Sequence, residues 1–306
     1  MPIDTSNDIV TLSLGTSSVK VALKGATVIS YQHDGRERLF TSAKSNPSPS
    51  DKAAVRGGVP ICWPIFGPPD LDNPLYAQLK QHGFARTGIW HLEDHHAADD
   101  TADGVKATFK LEPTPEIQAI YSQPFLLRYT VHLRPYTLSL SLAVTNPSSA
   151  IAPLHFQALL HAYFRLPDGV TPPEVRVTPL ESLAFVDKVT GGEKGKETER
   201  RKVVDVDGPK GEVDRVYYRA PDHLELAFPT PTASASGSAT DVLKVHKTNL
   251  PDVVLWNPGP EKGATIADME EGGAGRYVCL EPGRVEPFEV LEPGSTWEGG
   301  IELSFA

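Results

Sequence analysis

Hydrophobic and polar residues alternate with a period of two over much of the chain. In residues 126–134 ("LLRYTVHLR") and 136–144 ("YTLSLSLAV"), apolar side chains occupy every second position. This is the period of a half-buried β-strand, whose successive side chains point to opposite faces. The two segments meet at Arg134-Pro135, so we expect them to form a hairpin or a tight crossing.

Shorter alternations of the same period occur along the whole chain. They are residues 9–14, 18–23, 26–33, 105–112, 174–178, 213–219, 223–228, 241–247, 276–281, 287–292 and 299–305. No segment keeps the period of an amphipathic helix for more than about three turns. The pattern predicts an all-β protein: a large antiparallel β-sandwich of two packed sheets with few short helices.

A single domain over residues 1–306 is the predicted organisation, because all-β domains often exceed 200 residues and no internal repeat is present. Two polar segments interrupt the strands: 191–202 ("GGEKGKETERRK") and 229–240 ("PTPTASASGSAT"). Both are too short to be interdomain linkers, and they are typical of a solvated surface loop and a hairpin loop. The basic residues of 191–202 could also reach toward an anionic ligand.

Composition narrows the possible classes of function. The net charge is −10 and no long basic stripe is present, which argues against nucleic-acid binding. No apolar run approaches the ~20 residues of a membrane span, and the N-terminus does not resemble a signal peptide. Cys62 and Cys279 lack the CxxC spacing of a metal or redox site. We expect a cytoplasmic, monomeric protein without metal or cofactor.

Four segments break the strand pattern with chemically capable residues. They are 56–69 ("RGGVPICWPIFGPP"), 81–87 ("QHGFART"), 154–166 ("LHFQALLHAYFRL") and 279–294 ("CLEPGRVEPFEVLEPG"). In the first, two glycines permit a tight turn beside Arg56, and four prolines stiffen the loop. Such a loop either holds a ligand or caps the core, and composition leaves both open.

The other three segments are individually ambiguous. In 81–87, Phe84 can anchor the loop while His82 and Arg86 face outward. These two residues either form part of a binding site or are simply solvated. His161 lies among apolar residues, so its ring needs a hydrogen-bond partner. An ordinary core histidine also has one, so this does not distinguish a site from the core. Glu281 ends an apolar run where Pro282-Gly283 is expected to turn the chain. The repeated "LEPG" at 291–294 leaves the choice between Glu281 and Glu292 open.

In order and approximate spacing, six motifs together resemble the aldose 1-epimerase superfamily, and within it the hexose-6-phosphate mutarotase (glucose-6-phosphate 1-epimerase) branch. The motifs are "RGGVPICWPIFG", "QHGFAR", "LLHAYFR", "VDRVY", "VVLWNP" and "CLEPGRV". The resemblance runs from about residue 10 to residue 305. It implies a β-sandwich of the galactose mutarotase type with a sugar cleft over one sheet. It also implies a cofactor-free isomerase acting on a small sugar phosphate.

The same resemblance assigns roles to residues. Glu281 is expected to be the base that takes the C1 hydroxyl proton, and His161 the acid that protonates the ring oxygen. Nearby carboxylates would favour the protonated form of His161. His82 is expected to contact the sugar near its reacting end. Asp214 is expected to hold sugar hydroxyls, although it could also be an ordinary strand residue paired with an arginine.

Phosphate binding falls to Arg56 and Arg86 on this resemblance, because a guanidinium offers a planar fork to phosphate oxygens. Gln78 and Gln81 are expected to bind sugar hydroxyls. Two other functions stay open: an aldose 1-epimerase acting on unphosphorylated sugars, and a carbohydrate-binding protein without turnover. A hydrolase is disfavoured, because it needs two carboxylates where the motifs supply a histidine and a glutamate.

Overall fold

The computed structural model describes residues 2–97, 103–197, 211–229 and 240–305. Strands dominate it. The first ten are β1 (Ile3–Ser6), β2 (Ile9–Leu14), β3 (Ser17–Ala22), β4 (Thr27–His33), β5 (Arg36–Glu37), β6 (Ile61–Cys62), β7 (His91–Ala97), β8 (Val105–Leu111), β9 (Leu126–Leu133) and β10 (Thr137–Thr145). The others are β11 (Leu154–Leu160), β12 (Tyr163–Arg165), β13 (Arg176–Thr178), β14 (Ala184–Asp187), β15 (Glu193–Lys196), β16 (Val213–Tyr217), β17 (His223–Pro229), β18 (Thr240–Thr248), β19 (Asp252–Asn257), β20 (Tyr277–Leu291) and β21 (Thr296–Phe305).

The helices are short. They are α1 (Pro115–Gln118), α2 (Gly259–Thr265) and two 3₁₀ turns at Pro172–Glu174 and Gly273–Arg276. In the part of the chain that the structure describes, no helix has the length and apolar character needed to cross a bilayer. The predicted all-β fold with few short helices is confirmed.

Three antiparallel sheets build the molecule. The first has the order β1-β2-β3-β4-β5, and the second has β13-β17-β18-β21-β10-β9-β8-β7. The third has β15-β14-β16-β19-β20-β11-β6, and β12 also pairs with β20. The predicted hairpin is confirmed, since β9 and β10 are antiparallel neighbours. The two large sheets match the predicted sandwich, and the five-stranded N-terminal sheet adds to it.

One cluster of buried apolar side chains draws on all three sheets. Tyr31 from β4, Tyr129 from β9 and Leu280 from β20 all belong to it. The alternation seen in the sequence determines which face is buried: along β10 every second side chain is buried and the rest are partly exposed. In the third sheet, Leu280 of β20 belongs to this core, whereas its neighbours Cys279 and Glu281 point to the other face, where the candidate site lies.

Pro282-Gly283 does not turn the chain, and that expectation was wrong. β20 continues through both residues, because β19 pairs with it on one side and β11 on the other. Leu159 is opposite Gly283, and the β11 register then shifts beyond Ala158, a bulge that takes up the irregular stretch. The second LEPG does form a turn, between the end of β20 and the start of β21.

The two polar segments are only partly described. Residues 193–196 form β15, paired with β14, so this part of the predicted surface loop is a strand. Residues 198–202 and 230–239 lie outside the described residues, and the predictions for them stay predictions.

Candidate active site

Cross-strand neighbours bring polar side chains together on one face of the third sheet. Asp214 on β16 is opposite Trp256 on β19, and Trp256 is opposite Cys279 on β20. Glu281 shares the face of Cys279, because side chains two apart on a strand point the same way. Tyr163 on β12 flanks Cys279 from the other side. The strand register alone thus assembles the floor of the site.

His161 lies in the short break between β11 and β12. Its backbone N–H donates to the carbonyl oxygen of Pro60 at 2.9 Å. Its ring stacks on Tyr163, with centroids 4.8 Å apart and planes 11° apart, and it meets Trp256 edge-on at 5.7 Å. These contacts fix the position of the imidazole over the sheet.

His161 and Glu281 are in contact. The imidazole Nδ1 lies 3.2 Å from the carboxyl Oε1, and the two residues are 8% and 1% exposed. Neither Nδ1 nor either carboxyl oxygen has a well-aligned hydrogen bond to a described group. Because a buried polar atom without a partner is costly, these three atoms are available to a substrate or ligand.

Burial controls the protonation of His161. Loss of hydration lowers its pKa well below the usual value, and neighbouring His82 and two cavity arginines lower it further. The sequence-based expectation that carboxylates hold His161 protonated was therefore wrong. That expectation considered only the attraction of nearby carboxylates for the protonated ring. It left out desolvation and the nearby cations, which both lower the pKa of His161.

Glu281 shifts in the opposite direction. Burial raises its pKa well above the usual value, and Asp214 adds to this while Lys188 opposes it. Both shifts favour the uncharged forms, a carboxylic acid beside a neutral imidazole. Such a pair can give a proton at one group and take one at the other.

A cavity of about 300 Å³ opens above the pair. Its lining includes Arg56, Gln81, His82, Arg86, Lys188, Asp214 and Trp256 together with His161 and Glu281. Arg56 enters it from the predicted tight turn. Gly57 and Gly58 both have positive φ, and a Cβ at either would come within 2.3 Å of a carbonyl oxygen of Phe40 or Val28. Only glycine permits this approach.

His82 meets His161 edge-on, with ring centroids 5.8 Å apart, and is in a defined tautomer. The backbone N–H of Gly67 donates to its Nδ1 at 3.1 Å, so the neutral ring carries its proton on Nε2. Burial lowers the pKa of His82 to about 3, helped by Arg86, Lys188 and Arg56. The ring is therefore a neutral hydrogen-bond donor at Nε2.

Gln81 adjoins this donor. Its side-chain amide lies 3.1 Å from His82 Nε2. The contact joins two nitrogens, so His82 Nε2 can donate to Gln81 only when the amide turns its oxygen toward it. Gln78, by contrast, is exposed and does not line the cavity. The structure thus brings Gln81 to the site and leaves Gln78 outside it.

The cationic side chains of the cavity differ in their partners. Arg56 donates from Nε to Asp268 at 3.0 Å and contacts the Tyr163 hydroxyl at 3.4 Å. Arg86 donates to the backbone oxygen of Gln81, and its Nε is buried without a partner. Among the described residues, neither Arg86 nor Lys188 pairs with a carboxylate. These two charges are the ones free to attract an anion.

Sequence reasoning missed Lys188 and Trp256. Lys188 directly follows β14, its N–H donates to the backbone oxygen of Asp214, and its ammonium lies 4.0 Å from the centre of the Phe66 ring. Nothing in "AFVDKVTGG" marks this lysine locally. Trp256 lies within the "VVLWNP" motif, which did not by itself predict a role for this residue.

Asp214 lines the cavity. The alternative, an ion pair with the neighbouring arginine, is not formed: Arg215 donates to Asp187 at 2.6 Å instead. Burial raises the pKa of Asp214, and Lys188 and Lys262 oppose that rise.

A larger hollow of about 530 Å³ lies elsewhere, against β5, β12, β18 and β21. It shares no lining residue with the site cavity. Of the carboxylates that line it, Asp241 is already paired with Arg36 and Arg38. The smaller cavity, with its buried and unsatisfied acid–base pair, is therefore the stronger candidate.

Comparison with known proteins gives one consistent family. The family model described as "Aldose 1-epimerase" matches residues 8–304. A protein of Cenchrus ciliaris named "Putative glucose-6-phosphate 1-epimerase" is 32% identical over 289 residues, covering 93% of this chain and 80% of its own. One of the same name from Escherichia coli (strain K12) is 28% identical over 260 residues, covering 85% and 77%.

A solved structure agrees. The crystal structure of "a putative mutarotase" from Salmonella typhimurium superposes with a TM-score of 0.81 at 25% sequence identity. The match covers 99% of this chain and 92% of that one.

Proposed function

Since the chain belongs to the aldose 1-epimerase family and is an isomerase, we propose that it interconverts the α and β anomers of hexose 6-phosphates, with glucose 6-phosphate the foremost substrate. The observation that carries this proposal is the buried His161–Glu281 contact at 3.2 Å beneath a cavity with two unpaired cations. The contact supplies the acid and base, and the cations supply a place for phosphate.

Anomer exchange needs a coordinated proton transfer. Moving the shared proton from Glu281 to His161 creates a carboxylate and an imidazolium. The carboxylate takes the proton of the C1 hydroxyl while the imidazolium protonates the ring oxygen, and the C1–O5 bond breaks. The open-chain aldehyde then faces the neutral pair, which is the form that burial favours. Rotation about C1–C2 and the reverse transfers close the ring on the other face.

The surrounding residues bind and orient the sugar. His82 donates from Nε2 near the pair, and Asp214 and Gln81 are positioned to take hydroxyls. Arg86 and Lys188 attract the phosphate, because a charge-assisted hydrogen bond to an unpaired cation is stronger than one to a neutral group. Arg56 contributes a third cation whose charge Asp268 partly balances.

Anomerisation of freshly dissolved α-glucose 6-phosphate, followed by NMR exchange or polarimetry, tests the proposal. We expect wild type to exceed the spontaneous rate, and Glu281→Gln and His161→Asn each to lose about 10²- to 10⁴-fold. α-Glucose run in parallel tests the phosphate requirement.

Equal acceleration of free and phosphorylated glucose would overturn the hexose 6-phosphate assignment in favour of a general aldose 1-epimerase. Binding of the sugar phosphate without any acceleration would overturn the catalytic role and leave a carbohydrate-binding protein.

A further inference from the structure

The floor of the cavity gathers three different metal-ligating groups. A ring nitrogen of His161, the Sγ of Cys279 and a carboxyl oxygen of Glu281 all lie within 4.8 Å of one another. All three residues are buried. Within the described residues this is the one such group of three or more histidine, cysteine or acidic side chains.

The strands hold these donors in place. Cys279 and Glu281 are two apart on β20 and share a face of the sheet. β12 pairs with β20 so that Tyr163 is opposite Cys279, and His161 enters two residues before it. The convergence therefore follows from the register of the sheet.

The donors are also unsatisfied. Nδ1 of His161 and both carboxyl oxygens of Glu281 are buried and have no hydrogen-bond partner among the described residues, which is an unfavourable state that a bound cation would relieve. Imidazole, thiolate and carboxylate together are ligands that Zn²⁺ accepts, and three protein ligands leave its fourth position open. Here that position faces the cavity, which His161 and Glu281 line.

We propose that this floor binds a thiophilic divalent cation such as Zn²⁺ through His161, Cys279 and Glu281, and that the bound ion blocks the acid–base pair. The site is then inhibitory, because the ion occupies the groups that must exchange protons with the sugar. Donors around tetrahedral Zn²⁺ lie roughly 3.3–3.6 Å apart. His161 Nδ1 and Glu281 Oε1 already lie 3.2 Å apart, so the adjustment falls on the wider separations, which are at most 4.8 Å.

The exchange balances. Zn²⁺ displaces the thiol proton of Cys279, and the proton of Glu281 wherever that carboxyl is protonated, and the displaced protons pass to solvent. A dication with one thiolate, one carboxylate and a neutral imidazole makes a neutral site. No oxidant or further ligand is needed.

The test is a titration of the full chain with Cd²⁺ and with Zn²⁺ against a chromophoric chelator. Cd²⁺ bound to a thiolate gives an ultraviolet charge-transfer band, which reports directly on a cysteine ligand. We expect the band in wild type and in Cys62→Ser, and its absence in Cys279→Ser. Cys62 is a matched control, since it is also a buried free thiol and lies outside the three-donor group.

Zn²⁺ affinity should fall at least 10-fold in Cys279→Ser and in Glu281→Gln, and stay unchanged in Cys62→Ser. Far-ultraviolet circular dichroism establishes whether each variant is folded. If Cys279→Ser does not fold, the loss of Zn²⁺ affinity in Glu281→Gln still tests the site. The exposed His223–His246 pair, stacked at 4.3 Å, is a separate surface ligand set, so His246→Gln removes its contribution.

A Cd²⁺ band that persists in Cys279→Ser, or its absence from wild type, would overturn the site. So would Zn²⁺ binding that disappears only in His246→Gln. The blocking role rests on the proposed function, whereas the titrations use no sugar. Metal binding without epimerase activity would therefore reject the proposed function alone, and full activity in saturating Zn²⁺ would reject the blocking role alone.

Discussion

At the scale of single residues, a cation in the cavity should bind phosphate more strongly when no carboxylate already neutralises its charge. Arg86 has a buried, unpartnered Nε and no carboxylate partner among the described residues. We expect Arg86→Met to raise KM for glucose 6-phosphate by about 10- to 100-fold while kcat changes little, because a lost charge-assisted hydrogen bond is worth about 1.5–3 kcal/mol. Steady-state anomerisation measures both constants.

Free glucose is the matched control for Arg86→Met, because it lacks the group that the arginine binds. Its residual turnover should be unchanged by the substitution. A proportional loss of kcat with both sugars would instead place Arg86 in the proton-transfer machinery and contradict the phosphate role.

His82 carries a second residue-scale prediction. Its φ is +68°, a conformation that asparagine tolerates well, and the Oδ1 of asparagine can accept the Gly67 N–H in place of Nδ1. His82→Asn should therefore fold and lose only the Nε2 donor. We expect kcat/KM to fall about 10-fold with little change in thermal unfolding. Full retained activity would mean that Nε2 does not contact the sugar, and ring-nitrogen NMR shifts check the tautomer independently.

What sequence could say about the site differs between these residues. His161 and Glu281 were assigned by motif resemblance, and the structure brings them into contact. Lys188 could not be predicted from the sequence. It reaches the cavity through the pairing of β14 with β16 and through its contact with Phe66, and both partners are distant in the chain. The pKa of His161 was misjudged because burial is a property of the fold.

At the scale of elements, alternation made half-buried strands such as β10 predictable, whereas β19 and β7, which lack it, were missed. The alternation of β10 marks it clearly, whereas β19 ("DVVLWN") is almost entirely buried and shows no alternation. β7 is mostly exposed and polar at the edge of its sheet, so it too lacks the signal. Pro282-Gly283 has strong turn propensity, which pairing on both sides of β20 overrides.

The close packing of β20 against β11 gives an element-scale prediction. A Cβ on Gly283 would lie 2.9 Å from Leu159 Cβ and 3.1 Å from the Ala158 carbonyl oxygen. Gly283→Ala should therefore push the strands apart, cost about 1–3 kcal/mol in the free energy of unfolding and lower kcat by displacing Glu281. Chemical denaturation and the anomerisation assay measure the two effects.

Gly275→Ala is the control for this strand pair. Gly275 has open space where its Cβ would lie and no positive φ, so the same substitution should leave both measurements near wild type. If Gly283→Ala were equally silent, the register of β20 would not depend on that contact.

At the scale of the whole molecule, the site residues shape the pH dependence of stability. Below pH 6.5 the unfolded chain protonates His82, while the folded chain, with its pKa of about 3, does not. Stability is therefore lost as pH falls from 6.5 toward 3, by up to about 1.4 kcal/mol per pH unit. The groups facing His82 are His161, Arg56, Arg86 and Lys188, and the three cations reinforce the effect.

The His161–Glu281 pair shapes the alkaline limb of the stability profile, where pH exceeds 6.5. The raised pKa of Glu281 makes stability fall as pH rises above 4.5, because the folded carboxyl keeps a proton that the unfolded one loses. Below pH 6.5 the lowered pKa of His161 acts in the opposite direction. Above pH 6.5 the unfolded imidazole is already neutral, so the Glu281 contribution is no longer opposed and stability falls as pH rises toward the raised pKa of that carboxyl. Together the site groups favour a maximum in stability near pH 6.5.

Paired variants separate the two limbs. Urea denaturation from pH 4.5 to 8.5 should show the acid limb flattened in His82→Asn and the alkaline limb flattened in Glu281→Gln, each relative to wild type. Taking differences from wild type removes titrations common to all three proteins, such as those of the buried Lys24 and Lys247. If Glu281→Gln kept the wild-type alkaline slope, the folded pair would hold no proton above pH 6.5, and ring opening would have to start from a carboxylate beside a neutral imidazole that has no proton to give.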